Sequence, residues 1–340
     1  MKKALIHLII TIASGMLLLV LLVALMDPFY HFHKPIGGAY LYNEVYQTPG
    51  MAAHFEYDTV MLGSSMTENF QTDWFGQYKE NAVKLCYSGA RSADLAALLK
   101  VCFESGNDIK HIYIDINDYQ LTQDADSRYG EPPEYLYDNN IFNDVEYIFN
   151  KDVIIASLER LFGLKDEKDN RDDAFTWDDP ALFGRDRVLE DMGTDSEEKA
   201  WESSNDDISA YEQNTLQNME NLLVYVRAHR EVKFTFFYPP YSAAYWWDNE
   251  QNGLTEAKLD MYKRSIEMLL EYDNVEVYFF MDDYEHIGNL DNYRDMCHYS
   301  MEINEYMLKA MNNGELRITR ENLKERFEKL REYVKEYELK

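Results

Sequence analysis

The sequence predicts an α/β fold. It reads as a three-layer α/β/α sandwich around a mostly parallel five-stranded sheet, with a helical insertion and one N-terminal transmembrane helix. Three observations carry this. Short apolar runs of strand length alternate with longer runs of helical period, the pattern of a parallel sheet covered on both faces. Turns of small or polar residues follow the strands, as in Gly63-Ser64-Ser65, Ser88-Gly89 and Asn117-Asp118. An almost unbroken apolar run, Ala4 to Met26, precedes everything else.

That run would span roughly 34 Å as a helix, enough to cross a bilayer. Lys2 and Lys3 precede it and Asp27-Pro28 ends it, with no clear small-residue cleavage site behind. An uncleaved anchor is expected over residues 1–27, with its lysines inside and the bulk of the chain outside the cytoplasm. Residues 28–55, aromatic and punctuated by glycine, read as a juxtamembrane linker. His31 and His33 lie two apart there, but lack the further ligand that a metal site requires.

The main domain is expected over 56–314. Its strands are Thr59–Leu62, Ala82–Tyr87, His111–Ile116, Val232–Phe237 and Val275–Phe280. Helical patterns run over Asp94–Phe103, Ile208–His229, Thr255–Tyr272 and Met301–Asn312, the last ended by Gly314. Residues 121–207 interrupt the alternation as an insertion, with a helical core near Asn150–Phe162 and an acidic stretch from Asp166 to Asp207. A structureless loop of that length is rare in a compact domain, so a helical cap over the ligand edge of the sheet is expected. The acidic stretch lacks calcium-loop spacing and reads as a solvated surface. Residues 315–340 are expected to carry a C-terminal amphipathic helix, Ile318 to Tyr337, with Leu323, Phe327, Leu330 and Val334 on one face.

Composition narrows the function. The 340 residues carry 33 Lys and Arg against 62 Asp and Glu, a net charge of −29. Nucleic acid is excluded as a partner on that balance, because its binding depends on cations meeting phosphate. The three cysteines, Cys86, Cys102 and Cys297, give no full disulfide framework.

The chemistry-bearing stretch is Gly63-Ser64-Ser65. A serine there sits at the carboxyl end of a strand, where open α/β sheets bind ligands. Ser65-Met66-Thr67-Glu68 also fits a helix capping box, in which Ser65 only satisfies backbone N–H groups. A phosphate cradle is disfavoured by the missing lysine and the single glycine. A nucleophilic serine needs a base, and the base an orienting carboxylate. Two Asp-x-x-His pairs follow the last strand, Asp283 with His286 and Asp295 with His298, and spacing alone does not choose between them.

Gly-Ser-Ser after the first strand, joined to Asp-x-x-His before the final helix of the domain, resembles the SGNH/GDSL hydrolase superfamily, whose sheet is flavodoxin-like. The resemblance implies Ser65 as nucleophile, His298 as base and Asp295 as its partner. Gly89 matches the oxyanion-hole glycine. Asn117, in Asp115-Ile116-Asn117-Asp118, stands where the third oxyanion donor is found, although the glycine of that block is missing. The Gly-Ser-Ser form, the anchor and the insertion look more like membrane-anchored cell-envelope members, such as the D-alanyl transfer protein and the alginate O-acetylation proteins.

The implied function is extracytoplasmic, serine-dependent acyl transfer or ester hydrolysis on a cell-surface glycopolymer, beside a membrane-bound O-acyltransferase partner and without cofactor or metal. A catalytically silent scaffold of an envelope assembly is the alternative. Tyr238, Tyr241 and Trp246 follow the fourth strand and are candidate sugar-stacking residues. Arg91 is a candidate contact for an anionic substrate, and each of these four also has a purely structural reading.

Overall fold

A computed structural model describes residues 2–38, 40, 42–138, 140–164, 176–193 and 208–339. Its α-helices among the described residues, in chain order, are α1 (Lys2–Met26), α2 (Glu44–His54), α3 (Ser92–Glu104), α4 (Asp118–Thr122), α5 (Asp144–Ile148), α6 (Lys151–Leu161), α7 (Arg185–Gly193), α8 (Ile208–Ala228), α9 (Ala243–Gln251), α10 (Thr255–Leu269), α11 (Tyr284–Ile287), α12 (Met301–Asn313) and α13 (Leu323–Glu336). The strands are β1 (Thr59–Gly63), β2 (Ala82–Cys86), β3 (His111–Asp115), β4 (Lys233–Tyr238), β5 (Val275–Phe279) and β6 (Arg317–Ile318).

The six strands form one sheet in the order β2-β1-β3-β4-β5-β6. The first five in that order are parallel, and β6 is antiparallel to β5 through Val277↔Ile318 and Tyr278↔Arg317. Residues of β1, β2 and β3 are buried throughout, as expected of strands covered on both faces. Helices α3, α8 and α10 pack side by side. On β3, Tyr113 meets Phe75 edge-on and accepts a hydrogen bond from Asn312 of α12.

The five-stranded expectation is corrected by β6. Its two residues carry no strand-length apolar pattern, and the sequence reading began the C-terminal helix at Ile318, inside it. That helix is observed as α13, with Leu323, Phe327, Leu330 and Val334 buried and its contacts made to α9 and α10. It is therefore an integral part of the domain. Residues 28–55 also differ from a linker. Phe29 and Tyr30 are core residues, and α2 buries Gln47 to Ala52. The acidic run expected over 166–207 lies largely outside the described residues.

At α1 the composition gives a clear physical result. The helix has 25 residues and almost no burial along its length. Only its last turns, around Leu19 and Val23, pack against the domain. It is long and apolar enough to cross a membrane.

Candidate active site

The chain leaves β1 for β2 on one side and returns to β3 on the other, so the carboxyl end of β1 is the topological switch point, where such sheets form a ligand crevice. Ser64 and Ser65 occupy that point. A one-turn 3-10 helix, Ser65–Thr67, begins there, and its cap is Ser64, whose Oγ accepts from the Met66 N–H. The capping role that the sequence allowed for Ser65 therefore belongs to its neighbour, and the Ser65 side chain is left for other contacts.

The turn is held from beneath. Asp115, fully buried at the end of β3, accepts from the Ser64 N–H at 3.1 Å and from Ser64 Oγ at 2.7 Å. Its carboxyl is pushed up by burial, against the hydrogen bonds from Ser64, Asn117 and Gln120 that pull it down. Close approach here requires Gly63, since a Cβ at that position would collide with the Asp115 carboxylate. The segment beyond Ser65 is pinned by Tyr299 Oη and Asn304 Nδ2, which both donate to the Met66 carbonyl. The buried Lys84 ammonium donates to the carbonyls of Glu68 and Phe70.

Ser65 Oγ lies 2.9 Å from His298 Nε2, and His298 Nδ1 lies 2.8 Å from Asp295 Oδ2. A tight turn delivers both partners. Tyr293 and Tyr299 bridge as antiparallel neighbours, and the Arg294 N–H donates to the His298 carbonyl at 3.0 Å. Asp295 Oδ1 accepts from the N–H groups of Cys297 and His298 at 2.8 and 2.7 Å. Asp295 thus both shapes its turn and holds the imidazole. Burial alone would raise its carboxyl, but the hydrogen bonds and charge of His298 outweigh that and hold it at about 2. The rival pair stands elsewhere: His286 bonds Asp283 at 2.8 Å and stacks on Tyr306.

Around this trio is a cavity of about 400 Å³ lined by Ser65, His298, Glu44, Glu68, Trp177 and Arg294, with Ser88 and Thr176 at its wall. Trp177 meets the His298 ring edge-on, and the Arg294 guanidinium lies over the indole at 5.2 Å. Glu68 is buried, accepts from Ser88 Oγ at 2.9 Å, and is pushed up to about 8 by burial and by the neighbouring Glu44. Glu44, Glu68, Trp177 and Arg294 were missed by sequence reasoning. Glu44 lay in the supposed linker and Trp177 in the acidic insertion, and only the tertiary fold brings them here.

Gly89 follows β2 with φ +76, and a Cβ on it would stand 2.7 Å from the Tyr129 ring. Among the described residues, the N–H groups of Ser65 and Gly89 donate to no acceptor. Asn117 differs. Its amide donates to Ser64 Oγ at 2.9 Å and Asp115 Oδ2 at 3.0 Å, while its Oδ1 caps α4. Both amide hydrogens are committed to the floor of the site, so this geometry offers none to an oxyanion.

The four candidate substrate contacts do not line the cavity. Tyr238 and Trp246 are fully buried, and Tyr241 nearly so. Tyr238 Oη pairs with Ser265 Oγ at 2.7 Å, Tyr241 packs on Tyr245, and Trp246 on Tyr245 and Tyr262. The expected sugar platform is thus corrected to core packing, because Tyr238 at the end of β4 and Trp246 on α9 both pack against Tyr262 of α10 and Tyr241 packs on Tyr245 of α9. Arg91 donates to Tyr119 Oη at 3.1 Å. His31 and His33 are engaged separately, by Asp144 and by the Ala24 carbonyl.

No family model and no curated protein sequence matches the chain. Among solved structures, the chain is similar to one described, provisionally, as a platelet activating factor from Streptococcus pneumonia. That likeness has 11% identity, covers 79% of this chain and 90% of the other, and has a TM-score of 0.39. At that level the likeness carries no argument about fold or activity.

Proposed function

We propose that the protein is a membrane-anchored serine acyltransferase or esterase acting outside the cytoplasm on a cell-surface glycopolymer. The observation that carries this reading is the contact of Ser65 with His298, itself backed by Asp295, in an open polar cavity. His298 Nε2 takes the Ser65 hydroxyl proton as Oγ bonds to the acyl carbonyl carbon. The Ser65 and Gly89 N–H groups receive the oxyanion, each worth roughly 3 kcal/mol in such sites. The tetrahedral species collapses, and the leaving group departs with the proton from His298. A hydroxyl of the acceptor, or water, then gives its proton to His298 as it attacks the acyl-serine ester, and His298 returns that proton to Ser65 Oγ as the ester C–O bond breaks.

The carboxylates and indole of the cavity suit a hydroxyl-rich acceptor better than a long acyl chain, which supports transfer to a polysaccharide. A membrane-bound O-acyltransferase is the partner this reading implies. The test uses the full-length protein, because Phe29 and Tyr30 belong to the core. Fluorophosphonate labelling and p-nitrophenyl acetate hydrolysis are expected for the parent and lost in Ser65→Ala and His298→Ala. If all three are equally inert, and a Ser65→Ala strain keeps normal polymer acylation, the enzymatic reading fails and a silent scaffold takes its place.

A further inference from the structure

The part of the insertion that packs on α1 has an outward face of the wrong polarity for water. On α6, Val153, Ala156, Ser157 and Arg160 are buried against the protein. Roughly opposite them at about 100° per residue, Ile155, Leu158 and Phe162 recur at helical spacing and are exposed, with Leu161 alongside. The loop entering α5 adds Ile141 and Phe142, and the loop leaving α6 adds Leu164. Phe142, Ile141, Leu164 and Phe162 are 85%, 75%, 73% and 68% exposed. Val145 and Phe149, one helical turn apart, extend the patch along α5. Contiguous apolar surface of this kind marks an interaction site.

Its position identifies the occupant. About 20 residues of α1 from Ala4 cover a hydrocarbon core, so Leu19 to Met26 lie at its far edge. That end is where α5 and α6 dock. Arg160 donates to the Met26 carbonyl, capping α1, and Tyr147 Oη donates to Asp27 Oδ1 at 2.7 Å. The hairpin that carries the apolar patch is therefore docked on the last turns of α1, at the edge of the span.

We propose that the α5–α6 hairpin is a second membrane-contacting element, seated in the headgroup–acyl boundary of the bilayer that α1 crosses. Its contact is apolar, as in interfacial helices that bury one face 5–10 Å deep. Anionic lipid is not required, and the chain's net charge of −29 would oppose it. This rests on α1 as a membrane span and is independent of the chemistry at Ser65.

The test is spin-label accessibility in full-length protein at one copy per phosphatidylcholine nanodisc. Cys86 and Cys102 are buried, and Cys297 is replaced by serine. Labels go at Phe142, Leu158 and Phe162, with Leu18 as the span control and the exposed Lys324 as the water control. Collision with oxygen is expected to dominate over collision with a water-soluble nickel chelate at the three hairpin sites, as at Leu18, and the reverse at Lys324. Aqueous behaviour at the hairpin sites overturns the proposal. So does shielding from both reagents, which would assign the patch to protein contact, and water at Leu18 would remove the span together with the hairpin.

Discussion

Replacing Asp295 by asparagine separates a base-and-orienter pair from two residues that merely share a turn. Asparagine can still accept from the Cys297 and His298 N–H groups through Oδ1, so the turn survives. What changes is the second atom, where an NH₂ now faces His298 Nδ1 in place of a carboxylate oxygen. The imidazole then accepts at Nδ1 and carries its proton on Nε2, so it can no longer take the proton of Ser65. In a serine–histidine–aspartate site this costs ~10⁴-fold in rate, about 5 kcal/mol of transition-state stabilisation. The stability cost is smaller. The carboxyl moves from 3.8 to about 2 on folding, which at 1.36 kcal/mol per pKa unit is ~2 kcal/mol at most. Because the folded pKa is the lower one, that contribution is present above about pH 4 and is lost as pH falls towards 2.

The assay is p-nitrophenyl acetate hydrolysis with active-site titration, run with urea unfolding at pH 7 and pH 2.5. Asp295→Asn is expected to keep its fold, lose activity, and add less than about threefold to the loss already caused by His298→Ala. A variant that retains a tenth or more of parental activity, or whose effect multiplies fully with that of His298→Ala, would refute the pairing.

Three further outcomes follow from the same geometry. Gly89→Ala places a Cβ 2.7 Å from the Tyr129 ring at φ +76; activity is expected to fall ~10²-fold through the displaced N–H, with ~1–2 kcal/mol of stability lost in urea unfolding. Glu68, raised from 4.5 to about 8, contributes fully to folding below about pH 4.5 and loses that contribution progressively as pH rises to about 8. Its ionisation also sets a negative charge beside the forming oxyanion, so activity should decline as pH rises through about 8, and Glu68→Gln should remove both that decline and up to ~5 kcal/mol of the stability lost between about pH 4.5 and 8. Trp246→Ala should cost ~3–5 kcal/mol of stability by leaving a cavity while the KM of the remaining folded enzyme is unchanged; a raised KM at unchanged stability would return the indole to the substrate.

The sequence made the sheet legible because each of its five parallel strands is buried on both faces and so keeps an apolar run of its own. β6 could not be read, since two residues at an edge need only two backbone pairings and no apolar period. Ser65 stood out because turn chemistry is a local property, whereas short spacing offered two Asp-x-x-His pairs and only the family resemblance preferred Asp295 with His298. The walls of the cavity are another matter. Glu44, Trp177 and Arg294 come from three distant segments, and each alone resembles an ordinary surface residue. Tyr238, Tyr241 and Trp246 mark the opposite error: a run of aromatics after a strand has the same composition whether it faces a ligand or a helix, and only their packing on Tyr245 of α9 and Tyr262 of α10 decides it. Asn117 occupies the expected position in the chain, yet its amide is already spent on Ser64 and Asp115.

Helix α2 joins the end of α1 to the cavity. Its first residue, Glu44, lines the cavity that holds Ser65. Three residues on, Gln47 donates to the carbonyls of Pro28 and Tyr40 and accepts from the Tyr42 N–H. Gly50 lies so close to the carbonyls of Phe29 and Tyr30 that no side chain fits between them. Between α1 and α2 the chain passes through exposed Lys34, Ile36 and Gly37, but it is fastened on either side, by the core residues Phe29 and Tyr30 and by the buried Gln47 to Ala52 of α2. A segment built to let a domain swing on its anchor would be solvated and rich in small residues. This one is held at both ends by core residues, so the cavity wall at Glu44 is tied through α2 to the last turn of α1.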